Sequence, residues 1–96
     1  MMIRISYFGH FRIKFHKRSE NIQISKNANL HDLLSFLIER YGETFKSSVF
    51  NPSDTRIKDD VLLNINNIPS SQLNGLKTKL NNEDEIAFMP LFTGGG

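Results

Sequence analysis

The sequence Asp84-Glu85-Ile86-Ala87-Phe88-Met89-Pro90-Leu91-Phe92 runs directly into Thr93-Gly94-Gly95-Gly96. The first stretch is typical of a hydrophobic β-strand. The second consists mostly of glycine, which has no Cβ and loses the most conformational freedom when it is fixed. Glycines that no further chain follows cannot form a turn or a hinge, so we predict a flexible tail on a rigid strand. Residues 1–92 are accordingly predicted to form one domain and residues 93–96 the tail.

The predicted tail is a bare backbone that ends in a carboxylate. Fully extended, residues 93 to 96 span roughly 13 Å, and glycine fits a tunnel that would exclude side chains. We therefore predict that the carboxylate of Gly96 is the reactive group, and that Thr93, Gly94 and Gly95 thread it into other proteins. The alternative is an inert, disordered terminus.

The composition restricts the chemistry that this chain can carry. Its 96 residues suffice for one domain with one modest core. The absence of cysteine excludes disulfides, thiolate metal sites and a cysteine nucleophile. Its apolar runs are far shorter than the ~20 residues that span a bilayer. We therefore expect no membrane segment, no bound metal or cofactor, and a cytoplasmic location.

The net charge is only +2, but basic residues cluster near the N-terminus. The cluster consists of Arg12, Lys14, His16, Lys17 and Arg18. A solvated surface is the first interpretation, and a docking patch for an acidic partner is the second. Because no nucleic-acid-binding motif accompanies the cluster, we expect no nucleic acid partner.

The spacing of apolar residues predicts the secondary structure. Alternation predicts strands over residues 3–8, 21–25, 61–66 and 85–91, and it allows a short strand within 76–80. Over residues 11–15 it fits either a continued first strand or a short helical turn. One apolar stripe predicts a helix that Asn29 caps and Gly42 ends. The stripe consists of Leu30, Leu33, Leu34, Leu37, Ile38 and Tyr41.

The resulting order is strand, strand, helix, strand, strand. A single amphipathic helix must bury its stripe against a sheet, which predicts the α+β class. With the first and last strands parallel in the centre of a mixed four- to five-stranded sheet, this is the β-grasp fold. The last strand then leads straight into the tail at the edge of the globule.

The last strand divides its side chains between two faces. Ile86 and Phe88 are predicted to pack on the helix, with Ala87, Met89 and Leu91 on the opposite face. Phe92 leaves with the tail. The opposite face is either ordinary second-face packing or an apolar patch that binds partners. The carboxylates of residues 84 and 85 point apart on a strand, so a polar turn is favoured over a catalytic pair.

Three segments resemble ubiquitin-like sulfur carriers, most closely the small subunit of molybdopterin synthase (the MoaD family). Residues 80–90 resemble that family's Leu-x-x-Gly-Asp-Glu-Val-Ala-Phe-x-Pro, and residues 64–67 its Val-Asn-Gly. Tyr7-Phe8 with Phe11-Arg12 is similar to its Phe-Phe-Ala-x-Leu-Arg. Asn67 replaces the family glycine, and asparagine also tolerates positive φ.

The resemblance implies a carrier that is not catalytic alone. A separate adenylating enzyme would use ATP to activate Gly96, which then becomes a thiocarboxylate. The sulfur would be donated inside the large subunit of molybdopterin synthase. The family's glycine pair corresponds to Gly95-Gly96 if the ends are aligned, which we favour, or to Gly94-Gly95 if Gly96 is trimmed.

Other functions remain open at this point. The same adenylation step would serve a ubiquitin-like modifier joined to lysines, or a carrier for tRNA thiolation. A stand-alone binding domain with an inert tail is the alternative of another class.

Overall fold

The structure is a computed structural model that describes residues 1–52 and 56–91. The elements are β1 (Met2–Tyr7), α1 (His10–Phe15), β2 (Ser19–Gln23), α2 (Leu30–Tyr41), α3 (Glu43–Val49), β3 (Val61–Ile65), β4 (Ile68–Pro69) and β5 (Glu85–Pro90). Short 3₁₀ turns cover Ser70–Gln72 and Gly75–Lys77. Phe92 and the predicted tail, Thr93, Gly94, Gly95 and Gly96, lie outside the described residues.

The five strands form one sheet in the order β2-β1-β5-β3-β4. β1 pairs with β5 in parallel, and β2, β3 and β4 pair with their neighbours antiparallel. The parallel pair lies in the centre because the chain between β1 and β5 carries the helices and both flanking strands. This arrangement confirms the predicted α+β class and the β-grasp fold.

Helix α2 covers one face of this sheet, as the apolar stripe predicts. Its four leucines have no exposed surface. Asn29 caps the helix: its Oδ1 accepts from the Asp32 amide at 2.9 Å, and its own amide donates to Asp32 Oδ2 at 3.0 Å. Gly42 ends the helix with φ +75°, which glycine adopts without strain. The predicted helix and both of its boundaries are therefore confirmed.

Two further segments are helical: residues 10–15, which the sequence leaves open, and the segment after Gly42, for which the sequence predicts no element. Residues 10–15 form α1 instead of continuing β1, and Phe11 and Phe15 face the core. After Gly42 the chain forms α3, which buries Phe45 and Val49. The sheet thus carries three helices among the described residues, where the sequence predicts one long helix.

The sequence allows a short strand within residues 76–80, and this prediction is wrong for most of that span. The amide and the hydroxyl of Thr78 both donate to the carbonyl of Gly75, at 3.1 and 2.7 Å. These bonds close a 3₁₀ turn, so only Lys79 pairs, in an isolated bridge with Asn29. The local hydroxyl competes with a strand ladder here.

The hairpin between β3 and β4 explains the polar residues before β5. Asn66 and Asn67 take φ values of 50° and 69°, which a two-residue turn requires. The Asn66 side chain then bridges to Asp84 Oδ1 (2.9 Å) and accepts from the Glu85 amide (3.0 Å). Asp84 is buried in this network, which agrees with a structural turn and not a catalytic pair.

Two negative observations apply to residues 1–52 and 56–91. No helix there is both long and apolar enough to span a bilayer. In the same ranges, no three His, Cys, Asp or Glu side chains come close enough together to hold a metal ion.

Candidate functional site: the root of the predicted tail

The tail root is the place where β5 ends, formed by Gly9, Asp60, Pro90 and Leu91. β5 is paired on both sides, with β1 as far as Phe88 and with β3 as far as Pro90. Beyond the strand, the Leu91 amide donates to the carbonyl of Asp60 at 2.8 Å. The last described residue is therefore still fixed to the globule by its backbone.

Gly9 packs directly on the end of β5. Its φ is +58°, and a Cβ built there would lie 2.7 Å from Pro90 Cγ, a distance that real contacts do not reach. The glycine is thus required both by its conformation and by the close approach of Pro90. The sequence shows Gly9 only as an interruption after β1, because nothing nearby in the chain signals this contact.

Arg12 fixes helix α1 beside the tail root. Its Nε donates to the carbonyl of Tyr7 at 2.7 Å, and its guanidinium lies 5.0 Å from the centre of the Phe8 ring. This hydrogen bond satisfies the last carbonyl of β1, and the ring contact adds a cation–π attraction. The N-terminus of α1 is therefore held at the same end of the sheet as the end of β5.

The two faces of β5 differ as the alternation predicts. Ile86 and Phe88 have no exposed surface and pack against the helices, which confirms their assignment. On the opposite face, which we call the open face, Met89 is half-buried and Leu91 is 42% exposed. Ala87 retains only 7% of its surface, so it contributes little contact area. Their predicted role in partner binding stays a prediction, and Phe92 lies outside the described residues.

The open face also carries polar side chains, among them Asn64 on β3 and the ion pair of Arg4 with Glu85 (3.8 Å). Asn64 lies beside Ala87 in the strand register, and its Nδ2 contacts Met89 Sδ at 3.6 Å. Its Oδ1 is buried and has no hydrogen-bond partner in the described part of the chain. The open face is therefore mixed, with the apolar Leu62 and Met89 beside the Asn64 amide and the charged pair at the start of β5.

The basic cluster is largely engaged within its own chain. Besides Arg12, Lys14 Nζ donates to Ser48 Oγ at 3.1 Å, and Lys17 Nζ donates to the Tyr41 hydroxyl at 2.9 Å. These contacts attach α1 and the following turn to α2 and α3. The cluster thus helps to hold the helices that cover the sheet, a role that the sequence does not reveal.

A carboxylate network joins β1, β2 and α2 near this cluster. Glu20 accepts from the hydroxyls of Tyr7 (2.7 Å) and Tyr41 (2.6 Å), and Lys17 lies 3.5 Å away. Burial acts to raise the pKa of Glu20, but the hydrogen bonds from Tyr41 and Tyr7 prevail and lower it below 4.5. Burial and the bond to Glu20 raise the pKa of Tyr7.

Comparison with known proteins identifies a matching family and structures with the same fold. The model of the ThiS family matches residues 5–95. No curated protein matches the sequence.

Solved structures share the fold at low identity. SAMP1 from Haloferax volcanii superposes with a TM-score of 0.82 at 19% identity, covering 99% of this chain and 100% of that one. Urm1 from Trypanosoma brucei superposes with a TM-score of 0.79 at 18% identity, covering 98% of this chain and 95% of that one. A putative molybdopterin converting factor, subunit 1, from Pyrococcus furiosus superposes with a TM-score of 0.72 at 23% identity, covering 96% of this chain and 99% of that one.

Proposed function

The chain belongs to the ThiS family of ubiquitin-like sulfur carriers, and from this premise we propose that it carries sulfur as a thiocarboxylate on Gly96. The observation that carries the proposal is the tail root. β5 is a central strand bonded on both sides, and the Leu91 amide is still anchored to Asp60. A strand fixed this firmly gives Leu91, the last described residue, a defined position at the end of β5.

The chemistry needs two steps, because a carboxylate is a poor electrophile. First, a Gly96 carboxylate oxygen attacks the α-phosphorus of ATP in the adenylating enzyme, and pyrophosphate leaves. Then a sulfur donor at the oxidation level of sulfide attacks the acyl carbon and expels AMP, which takes the original oxygen. The product is a thiocarboxylate, a soft anionic nucleophile that donates its sulfur inside another partner.

For the acceptor, we propose the pterin precursor of molybdopterin, with this chain as the small, non-catalytic subunit of molybdopterin synthase. The resemblance of residues 80–90 to the small subunit supports this choice. So does the shared fold with the putative molybdopterin converting factor subunit. Ala87, Met89, Leu91 and Phe92 would then contact the large subunit, while Thr93, Gly94 and Gly95 occupy its tunnel.

A second function is favoured by a separate observation. Solved structures that superpose on this chain include small archaeal modifier protein 1, as their names state. In a modifier, the adenylated Gly96 would form an amide bond to a lysine of another protein. The two functions share the activation step and differ in the product, so the product distinguishes them.

The test uses the full chain with its adenylating enzyme, ATP and sulfide. We expect the wild-type chain to gain the mass difference between sulfur and oxygen, and Gly95→Val to remain unmodified because its side chain blocks the tunnel. An unchanged amide spectrum would show that the variant is folded. Normal adenylation of a folded Gly95→Val chain would contradict the proposal.

Deleting Gly96 locates the reactive residue. We expect this deletion to abolish modification, because alignment of the chain ends assigns the family pair to Gly95-Gly96 and the shortened tail would stop one residue short of the activating site. Full modification of the shortened chain would assign the carboxylate to Gly95 and imply trimming. High-mass lysine conjugates in cells, instead of the thiocarboxylate, would favour the modifier function.

A further inference from the structure

A second feature of the molecule lies on its helical side. A cavity of about 570 Å³ opens between α2, α3 and the turn that carries Leu76, and its lining includes none of the tail-root residues. Ile38, Phe50 and Leu76 supply its apolar surface, and all three pack against the hydrophobic core. This volume falls within the roughly 300–1,000 Å³ typical of small-molecule sites.

The cavity is lined by more positive than negative groups. Lys46, Lys58 and His31 are its basic residues, and Glu43 is the single carboxylate among the described residues that line it. Within residues 1–52 and 56–91, neither lysine has an ion-pair or side-chain hydrogen-bond partner. In the described part of the chain, the two lysines therefore line a partly apolar cavity with no ion pair between either of them and Glu43.

Backbone hydrogen bonds hold both lysines close to Phe50. The Phe50 amide donates to the carbonyl of Lys46 at 2.9 Å, which closes the last turn of α3. The Lys58 amide donates to the carbonyl of Val49 at 2.8 Å, and Phe50 pairs with Ile57. Lys46 and Lys58 thus flank Phe50, the largest apolar side chain of the lining.

The opposite wall comes from one face of α2. His31, Ser35 and Ile38 recur at spacings of four and three, so they lie above one another on the same side of the helix. The four leucines of α2 face the sheet instead. The helix therefore has a second, partly apolar face that the sheet does not use.

We propose that this cavity binds a small organic anion, a ring system that carries a carboxylate. The ring would lie on Ile38, Phe50 and Leu76, and the carboxylate would pair with Lys46 and Lys58. Charge complementarity supports an anion over a neutral or cationic ligand. The site goes beyond sulfur transfer, since it would exist whether or not Gly96 is modified.

The test is a titration of the ¹⁵N-labelled full chain with 2-naphthoate, followed by its amide spectrum. We expect saturable shifts at Ser35, Lys46, Phe50 and Lys58. The neutral analogue 2-naphthalenemethanol should bind about fivefold more weakly, because it lacks the charge that the lysines recognise. Absence of saturable shifts, equal affinity for both compounds, or shifts confined to the open face would overturn the proposal.

Variants of opposite charge sharpen this test. Replacing both lysines (Lys46→Gln with Lys58→Gln) should weaken 2-naphthoate binding about fivefold, and Glu43→Gln should strengthen it about twofold. Lys26→Gln is the matched control, because Lys26 is an exposed lysine that lines a different cavity. An unchanged dissociation constant in the double variant, or an equal loss in Lys26→Gln, would contradict the site. The Glu43→Gln result decides the question if the double variant fails to fold.

Discussion

The two faces of β5 differ in burial and in the side chains that they contact. On the helical face, the Phe88 ring lies between the rings of Tyr7 (5.6 Å, stacked) and Phe45 (5.6 Å, edge-on). On the open face, Met89 is half-buried and contacts the Asn64 amide. Because successive residues alternate, we expect stability and partner recognition to depend on different residues of the same strand. Substitutions of one parity should therefore change folding, and those of the other should change partner binding.

The largest effect is expected on the buried face. Phe88→Ala removes a ring with no exposed surface from the aromatic cluster, and we expect it to lower the free energy of unfolding by about 3–5 kcal/mol. Urea denaturation followed by circular dichroism measures this change. A loss below about 1 kcal/mol would mean that the two faces do not differ as described.

The next effect concerns the support of the strand end. In Gly9→Ala the new methyl group would sit on a residue with positive φ and would clash with Pro90. We expect this variant to lower the free energy of unfolding by about 2–3 kcal/mol. Gly42→Ala is the matched control: its φ is also positive, but a Cβ there meets nothing within 4 Å. It should cost only about 1–2 kcal/mol. Equal losses in the two variants would show that the contact between Gly9 and Pro90 contributes nothing.

A smaller effect is expected at Glu20, which supports the buried face through Tyr7. Folding lowers the pKa of Glu20, so the ionised carboxylate stabilises the folded state above pH 4.5. This stabilisation is lost as the pH falls below that value. Folding raises the pKa of Tyr7, so its protonated hydroxyl stabilises the folded state below pH 10. This stabilisation is lost as the pH rises further. The wild-type free energy of unfolding should therefore fall at both extremes.

Glu20→Gln tests this sign. We expect it to cost about 1–2 kcal/mol at pH 7 and to flatten the dependence of stability on pH below 4.5. Glu39→Gln, at an exposed position of α2, should leave the curve unchanged. A Glu20→Gln curve that is parallel to the wild type throughout the acid range would contradict the network.

The smallest effect on stability is expected on the open face. Met89→Glu should lower the free energy of unfolding by no more than about 1 kcal/mol, because the side chain is only partly buried and lies outside the hydrophobic core. It should weaken binding to the adenylating enzyme at least about tenfold, since it places a charge in an apolar contact. Calorimetry measures both quantities, with Gln23→Glu on β2 as the control. Unchanged binding would restrict recognition to the residues after Leu91.

Local signals in the sequence account for most of the fold. The stripe of α2, the Asn29 cap and the alternation of residues 85–91 each depend on neighbours in the chain, and the structure confirms them. The parallel pairing of β1 with β5 also follows, because a single covering helix leaves few arrangements.

Contacts between distant residues could not be predicted in the same way. Gly9 meets Pro90, Glu20 accepts from Tyr7 and Tyr41, and Lys58 joins Lys46 at one cavity. Each pair is brought together by tertiary packing, which leaves no periodicity in the sequence. Alternation over residues 11–15 was ambiguous for a related reason, since five residues fit a strand and a helical turn equally well.

The most direct test of the central claim is the intact mass of the full chain after incubation with its adenylating enzyme, ATP and sulfide. We predict a single product that is heavier by the difference between one sulfur and one oxygen atom, with the change located at Gly96 by fragmentation. An unmodified Gly96, or sulfur attached to any side chain, would contradict the account.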